Sequence, residues 1–227
     1  MSNITLPDDF GQTPKKQLSL PNHDDSVLLH CCCAPCSSAM IEACLHYHIK
    51  PTLYFYNPNI HPEPEYLTRK NELVRFAKTL GLDSVDADYN PKQWFARMKG
   101  LEQEPERGRR CLSCFSMRLE KTAQYAAEHG FAYFTTTLAT SRWKDQAQIT
   151  QAALSAQATT QNKTLFWQQD WRKEGLSNRK DSLIKQIGFY NQQYCGCAYS
   201  LRDSNKWRKA NNRPLIVPCK GENEGDE

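Results

Sequence analysis

The sequence contains no run of apolar residues long enough to cross a membrane, which takes about 20 of them in a row. Its first 25 residues are polar, contain three prolines and lack the apolar core of a secretory signal. We therefore expect a cytoplasmic protein with no membrane partner, beginning with an irregular arm over residues 1–25. Ten cysteines are present, and in the cytoplasm clustered cysteines more often serve metal or redox chemistry than structural disulfides.

A glycine-rich turn is also missing after the first predicted strand, Val27–Leu29. Parallel α/β proteins bind ligands at the carboxyl ends of their strands, and nucleotide-binding members use glycines there so that backbone amides can approach phosphate. Cysteines occupy this turn instead, at positions 31, 32, 33 and 36. The apolar pattern then predicts a helix from residue 39 to about residue 50, capped by Ser37 and Ser38. The turn therefore predicts a metal site.

Predicted strands and helices alternate along the rest of the chain. Further strands are predicted at 51–56, 82–89, 131–138 and 165–167, and further helices at 64–80, 91–100, 111–130 and 146–157. This alternation predicts an α/β fold with a doubly wound, mostly parallel sheet of the Rossmann-like type. We expect one catalytic domain over residues 26–219, mainly helical from about residue 176, followed by an acidic, disordered tail over 220–227.

Two groups of thiols are placed to bind a metal. The first comprises Cys32, Cys33 and Cys36, which surround a proline turn. The second, Cys111 and Cys114, has Cys-x-x-Cys spacing at a predicted helix start, where the helix dipole favours thiolates. Together they supply enough soft ligands for an iron–sulfur cluster or a tetrahedral zinc ion, and the ligand types do not separate the two.

Three other cysteines are expected to behave differently. Cys31 still lies in the first strand, so core packing and metal ligation are equally favoured for it. Cys44, inside its predicted helix, is expected in the core, and Cys219, after Pro218, is expected to have no functional part.

The pattern Cys195-Gly196-Cys197 is typical of a working redox pair. A disulfide across one intervening residue closes a very small ring, which stores strain and raises the reduction potential. Gly196 supplies the backbone freedom that such a ring requires. Two further metal ligands remain the alternative interpretation.

Basic residues cluster in five short stretches, three of which also contain a tryptophan. This mixture favours contact with RNA because arginine and lysine bind phosphates while aromatic rings stack on bases. The stretches are 107–110, 142–144, 171–173, 179–180 and 206–209. Any one of them is slightly more typical of a solvated surface with a buried tryptophan, but the five together favour RNA. The net charge of +4 permits a nucleic-acid partner without requiring one.

With these motifs in view, the chain resembles the epoxyqueuosine reductases of the QueH type. The matching residues run in order from 27 to 200 and comprise Cys32-Cys33-Ala34-Pro35-Cys36, Arg110 to Phe115, Arg118-Leu119, Thr136-Thr137-Leu138, Ser141, Lys144, Trp171, Lys173, Gly175, Ser177, Tyr190, Gln193, Tyr194 to Cys197, and Ser200.

The resemblance implies a fold related to adenine-nucleotide α-hydrolases and the last step of queuosine synthesis, in which epoxyqueuosine in the tRNA anticodon loop loses its epoxide oxygen. It implies a [4Fe–4S] cluster on Cys32, Cys33, Cys111 and Cys114, a redox-active pair Cys195 and Cys197, and no cobalamin. Cys36 is a candidate ligand of a second iron. The electron donor is unidentified.

Two other functions compete with this one. A tRNA sulfur-transferase of related fold would bind ATP, but no Ser-Gly-Gly-x-Asp-Ser phosphate loop follows the first strand. A zinc-stabilised RNA-binding module would be colourless, and it gives Cys195-Gly196-Cys197 no purpose.

Overall fold

Five parallel strands form one sheet around the strand that precedes the cysteine-rich turn. The computed structural model describes residues 4–12, 16–21 and 26–219. The strands are β1 (Val27–His30), β2 (Thr52–Phe55), β3 (Ser84–Asp86), β4 (Tyr133–Thr136) and β5 (Leu165–Phe166), in the spatial order β3-β2-β1-β4-β5. The predicted α/β class and parallel sheet are confirmed.

Helices connect the strands and cover both faces of the sheet. They are α1 (Ala34–His46), α2 (Glu63–Thr79), α3 (Pro91–Arg97), α4 (Arg109–Glu128), α5 (Gln146–Thr159), α6 (Leu176–Ile187) and α7 (Ala198–Ala210). One core, which includes Leu29 and Phe55, packs α1, α2 and α6 against one face. A second core, which includes Leu28 and Phe134, packs α4 and α5 against the other. Helices on both faces are expected for a sheet whose strands are buried on both sides.

The chain reverses its direction of winding between β1 and β4. These two strands are neighbours in the sheet, and His30 at the end of β1 is paired with Thr136 at the end of β4. Ligands of open α/β sheets bind outside the carboxyl ends of the strands at such a switch point. The register therefore places the turn after β1 beside the short 3₁₀ helix, Thr137–Thr140, that follows β4.

Two predicted boundaries were wrong, namely the start of the first helix and the end of the strand at 131–138. Helix α1 begins at Ala34, with Cys33 rather than Ser37 or Ser38 as its N-cap. Both serine hydroxyls donate to carbonyls of the first turn, Ser37 to Cys33 and Ser38 to Pro35, so they lie inside the helix. The predicted strand 131–138 ends at Thr136, whose hydroxyl accepts the Leu138 amide and turns the chain into the 3₁₀ helix.

The described part of the arm contains no helix or strand, and it packs on the domain. Leu18 is buried, and Ile4, Phe10 and Leu20 are partly buried against the core of α1, α2 and α6. The remaining arm residues and the predicted acidic tail over 220–227 lie outside the described residues. None of the helices in the described part of the chain combines the length and apolar composition that crossing a membrane requires.

Candidate metal and redox site

Thiols stand at the N-termini of three different helices. Cys33 is the N-cap of α1 and Cys36 lies in its first turn. Cys111 and Cys114 lie in the first two turns of α4, and Cys197 is the N-cap of α7. The N-terminal end of a helix carries partial positive charge, which stabilises negative charge on a nearby sulfur and partly opposes the effect of burial.

The thiols after β1 form a compact group. The sulfurs of Cys32, Cys33 and Cys36 all lie within 4.8 Å of one another, and those of Cys32 and Cys33 are 3.8 Å apart. Thr137, after β4, holds the group in place: it accepts the Cys32 amide at 3.0 Å and donates its hydroxyl to the Cys32 sulfur at 3.3 Å. The pairing of β1 with β4 thus fixes the first predicted cluster.

One cavity of about 780 Å³ brings the three predicted clusters together. The cysteines that line it are Cys36, Cys111, Cys114, Cys195 and Cys197. Cys32 and Cys33 adjoin it through their contact with Cys36. Residues separated by more than 150 positions in the sequence therefore face one another across the switch point of the sheet.

Five of these sulfurs accept a hydrogen bond from a nitrogen or hydroxyl. Besides the Thr137 bond to Cys32, the Cys36 amide donates to Cys33 at 3.4 Å. The other three donors are Trp94 Nε1 to Cys114, the Arg107 amide to Cys111 and Gln192 Nε2 to Cys36, each at 3.3 Å. Such bonds stabilise thiolates and tune the potential of a metal centre bound to them.

Hydrogen bonding and burial shift the pKa values of the thiols in opposite directions. Hydrogen bonds from Cys33 and Cys36 lower the pKa of Cys32 well below its usual value. Burial raises the pKa of Cys33, that of Cys111 to about 12, and that of Cys114 despite the nearby Arg118 guanidinium. Thiolates packed this closely repel one another, and a bound cation offsets that repulsion. A metal centre supplies that positive charge, so the donor set fits an iron–sulfur cluster or zinc.

Cys31 and Cys44 do not belong to this group. Both are buried in the core that β1 shares with α1, α2 and α6, and burial raises the pKa of each, that of Cys44 to about 12. Core packing is confirmed for Cys44 and is the better account of Cys31.

A family model described as epoxyqueuosine reductase QueH matches residues 27–203. The chain belongs to this family.

This chain aligns with relatives described as epoxyqueuosine reductase QueH over most of their length. The chain is 52% identical to the Haemophilus influenzae protein over 202 residues, 89% of this chain and 82% of the relative. It is 46% identical to the Acinetobacter baylyi protein over 203 residues, 89% and 93% of the two chains. It is 33% identical to the Thermotoga maritima protein over 180 residues, which cover 78% of this chain and 90% of that relative. The resemblance seen in the motifs is confirmed, and the chain is an oxidoreductase of the QueH family.

The third cluster, Cys195-Gly196-Cys197, packs closely against the segment that follows β2. Gly196 has a φ of +98°, and a Cβ there would lie 2.7 Å from Ile60 Cγ1, so no other residue fits. The Gly196 carbonyl accepts the His61 amide at 2.8 Å, and the Tyr194 hydroxyl donates to the His61 carbonyl. These contacts hold the two cysteines at the cavity in a QueH-family fold.

Cys195 and Cys197 are free thiols in different environments. Cys195 is exposed and Cys197 is buried. A hydrogen bond from the Cys197 thiol lowers the pKa of Cys195 to about 6, and the same contact raises the pKa of Cys197. A thiolate and a protonated thiol therefore lie side by side at neutral pH, which is the arrangement needed to begin dithiol chemistry.

A buried polar network supports this pair from α2. The Glu65 and Arg69 side chains are 0% and 2% exposed and form an ion pair at 2.6 Å. Arg69 also donates to the Tyr194 carbonyl at 3.1 Å, while Glu65 accepts the Tyr190 hydroxyl at 2.8 Å. The network thus anchors the residue that precedes Cys195.

The sequence patterns had assigned no role to several residues that the site uses. Trp94 lies in the helix predicted at 91–100, and no local pattern indicates that its indole N–H donates to the Cys114 sulfur. Glu65 and Arg69 lie four positions apart on a helix, a spacing usually found on solvated faces. Thr137 belonged to the family motif, but only the strand pairing shows that its hydroxyl contacts Cys32.

Proposed function

We propose that this chain converts epoxyqueuosine to queuosine at the wobble position of tRNA, the last step of queuosine synthesis, in the cytoplasm. The supporting observation is the convergence of three thiol clusters on one cavity, in a member of a family described by this reductase activity. An RNA-binding module would not need the Cys195 and Cys197 pair. A sulfur-transferase is not favoured by the family match.

The reaction needs two electrons and two protons. Both bonds from carbon to the epoxide oxygen break, a carbon–carbon double bond forms, and the oxygen leaves as water. Oxidation of the Cys195 thiolate and the Cys197 thiol to a disulfide supplies both electrons and one proton, and a general acid at the cavity supplies the second proton, so the step balances. Cys195, exposed to the cavity and ionised, begins the reaction, and Cys197 completes the disulfide.

We propose that Cys32, Cys33, Cys111 and Cys114 hold a [4Fe–4S] cluster. When bound, such a cluster supplies single electrons, here from an unidentified donor that restores the dithiol after each turnover. Cys36, whose sulfur lies within 4.8 Å of those of Cys32 and Cys33, is the candidate ligand of a second iron. The hydrogen bonds to these sulfurs support thiolate ligands.

A proton donor must stabilise the oxygen as it leaves carbon, and the contacts separate the four candidates Lys144, Asp145, Tyr194 and Tyr199. The Tyr194 hydroxyl donates to His61, and the Asp145 carboxylate caps α5. Tyr199 packs on Trp94 and does not line the cavity. Lys144 lines it, and within the described residues its ammonium makes no hydrogen bond or ion pair to a carboxylate.

The charge of Lys144 suits this role. Burial lowers the pKa of its ammonium, but the sulfurs of Cys32, Cys36 and Cys195 raise it by more, so the pKa lies above its usual value. Lys144 therefore stays protonated at neutral pH and directs a proton into the cavity.

Replacing Lys144 by glutamine is expected to lower the rate of the reduction step about a hundredfold, since the general acid is lost. The measurement is a single-turnover assay on epoxyqueuosine-containing tRNA, with iron content determined on the same samples. Lys144→Arg keeps the positive charge and separates charge stabilisation from proton transfer. A Lys144→Gln variant with the wild-type rate would remove Lys144 from the mechanism.

The proposed function is tested first by metal analysis of anaerobically purified protein. We expect about four irons with matching sulfide, visible absorption, and reduction of epoxyqueuosine-containing tRNA once a strong reductant is added. Cys114→Ser is expected to lower the iron and sulfide content, whereas Cys44→Ala, in the core, leaves the iron per folded protein unchanged. One zinc, no sulfide and no colour after anaerobic reconstitution would contradict the proposal and favour the RNA-binding module.

A further inference from the structure

Two tryptophans are exposed at the border of the thiol-lined cavity. Trp143 is 66% exposed and Trp207 is 60% exposed, whereas the other three tryptophans of the chain are buried. Both exposed side chains line the same cavity as Cys111 and Cys197. A large aromatic surface left in water beside a functional cavity indicates a binding surface.

The first tryptophan is held in place by a chain of contacts that leads to the thiols. The Arg107 guanidinium donates to the Trp143 and Arg142 carbonyls, each at 3.1 Å. The amide of the same Arg107 donates to the Cys111 sulfur at 3.3 Å. The Arg142 guanidinium lies 5.0 Å from the centre of the Trp143 ring, so a cation accompanies this aromatic face.

The second tryptophan stands on the helix that begins at the redox pair. Trp207 is ten residues after Cys197, the N-cap of α7, which corresponds to about 15 Å along the helix axis. The chain beyond α7 is fastened beside it, because the Asn205 side chain binds both the amide and the carbonyl of Ile216. Arg208 and Ile216 also line the cavity.

The charges at the cavity favour a polyanion. Its acidic side chains are already engaged: Glu106 accepts the Ser200 hydroxyl, Asp145 accepts the Gln148 amide, and Asp203 pairs with Arg202. The cationic side chains that line it include Arg107, Lys144 and Arg208. An apolar protein segment would leave these cations uncompensated, whereas phosphate groups would pair with them.

We propose that Trp143 and Trp207 are stacking faces for unpaired bases of a single-stranded RNA loop, next to the base that enters the cavity. This inference rests on the proposed function, because it concerns the nucleotides on either side of the base that enters the cavity. Single-stranded RNA is recognised by bases that leave the stack and lie on aromatic side chains, while arginines contact the phosphates.

The test measures binding of a fluorescent anticodon stem–loop RNA to the iron-loaded protein across a range of salt concentrations. Trp143→Ala and Trp207→Ala are each expected to weaken binding about tenfold, with the salt dependence unchanged because no phosphate contact is lost. Trp143→Phe and Trp207→Phe retain a stacking ring and are expected to recover most of the affinity. Leu154→Ala on α5, a side chain 48% exposed that does not line the cavity, is the matched surface control.

The outcomes separate this inference from the proposed function. Wild-type affinity in both alanine variants, or an equal loss of affinity for a fully paired RNA duplex, overturns the stacking surface even if the enzyme reduces epoxyqueuosine. Loss of affinity confined to the loop RNA supports the surface, and it does so even if no epoxyqueuosine is reduced, an outcome that would refute only the proposed reaction.

Discussion

Replacing Cys195 by serine is expected to lower the rate of epoxyqueuosine reduction by at least about a thousandfold, as loss of a reacting nucleophile does in other enzymes. Serine has nearly the same size, but it cannot form a disulfide with Cys197, so the two electrons that the reaction needs are no longer available. The measurement is mass spectrometry of epoxyqueuosine-containing tRNA after incubation with reductant. Iron content and RNA affinity are expected to stay at wild-type values.

Two control variants make this result specific. Cys219→Ser changes a cysteine that does not line the cavity and is expected to leave the rate within about twofold. Cys197→Ser is expected to reproduce the defect of Cys195→Ser, because a dithiol acts as a unit. If Cys195→Ser instead lost iron to the same extent as Cys114→Ser, Cys195 would be a metal ligand and the dithiol mechanism would be wrong.

The fold could be predicted from the sequence because its signals are local. The apolar run Val27–Leu29 and the aromatic run around Tyr54 mark buried strands, and the helical patterns between them require a parallel sheet. Boundaries were less well predicted where side chains replace backbone partners. Cys33 caps α1 with its sulfur, although cysteine is not among the preferred N-cap residues. The Thr136 hydroxyl ends β4, but threonine is also common inside strands, so its presence did not mark the boundary.

The candidate site could be predicted only in part. The three cysteine clusters were recognisable because their spacing in the sequence is itself the signal. The groups that act on them come from distant segments: Thr137 lies 105 positions from Cys32, and Gln192 lies 156 positions from Cys36. Only the adjacency of β1 and β4 and the packing of the segment before α7 bring these donors to the sulfurs, and no local pattern records that packing.

Replacing Glu65 by glutamine is expected to reduce the free energy of unfolding by about 3–5 kcal/mol, because it leaves the buried Arg69 charge unpaired. For a chain of this size the melting temperature should fall by about 6–20 °C. The measurement is thermal or urea unfolding of the purified protein at neutral pH. The matched control is Glu120→Gln, which breaks an ion pair with Arg97 whose two side chains are each 35% exposed, and which should cost less than about 1 kcal/mol.

The pH dependence of this loss identifies its cause. Burial raises the pKa of Glu65, but the Arg69 charge and the hydrogen bonds from Arg69, Cys219 and Tyr190 lower it by more, so the folded protein holds the pKa below its usual value. The contribution of Glu65 is therefore complete above its unfolded pKa of about 4.3 and is lost as the pH falls through the folded pKa. The stability difference between the wild type and Glu65→Gln should thus shrink in acid.

A difference that stays constant as the pH falls would show that glutamine acts through packing rather than through the lost charge. A loss of unfolding free energy no larger than that of Glu120→Gln would show that the network does not stabilise the fold.

Because Arg69 also binds the Tyr194 carbonyl, a lost ion pair should loosen the segment that carries Cys195. Glu65→Gln, tested below its melting temperature, is then expected to shift the reduction potential of the dithiol, whereas Glu120→Gln leaves that potential unchanged.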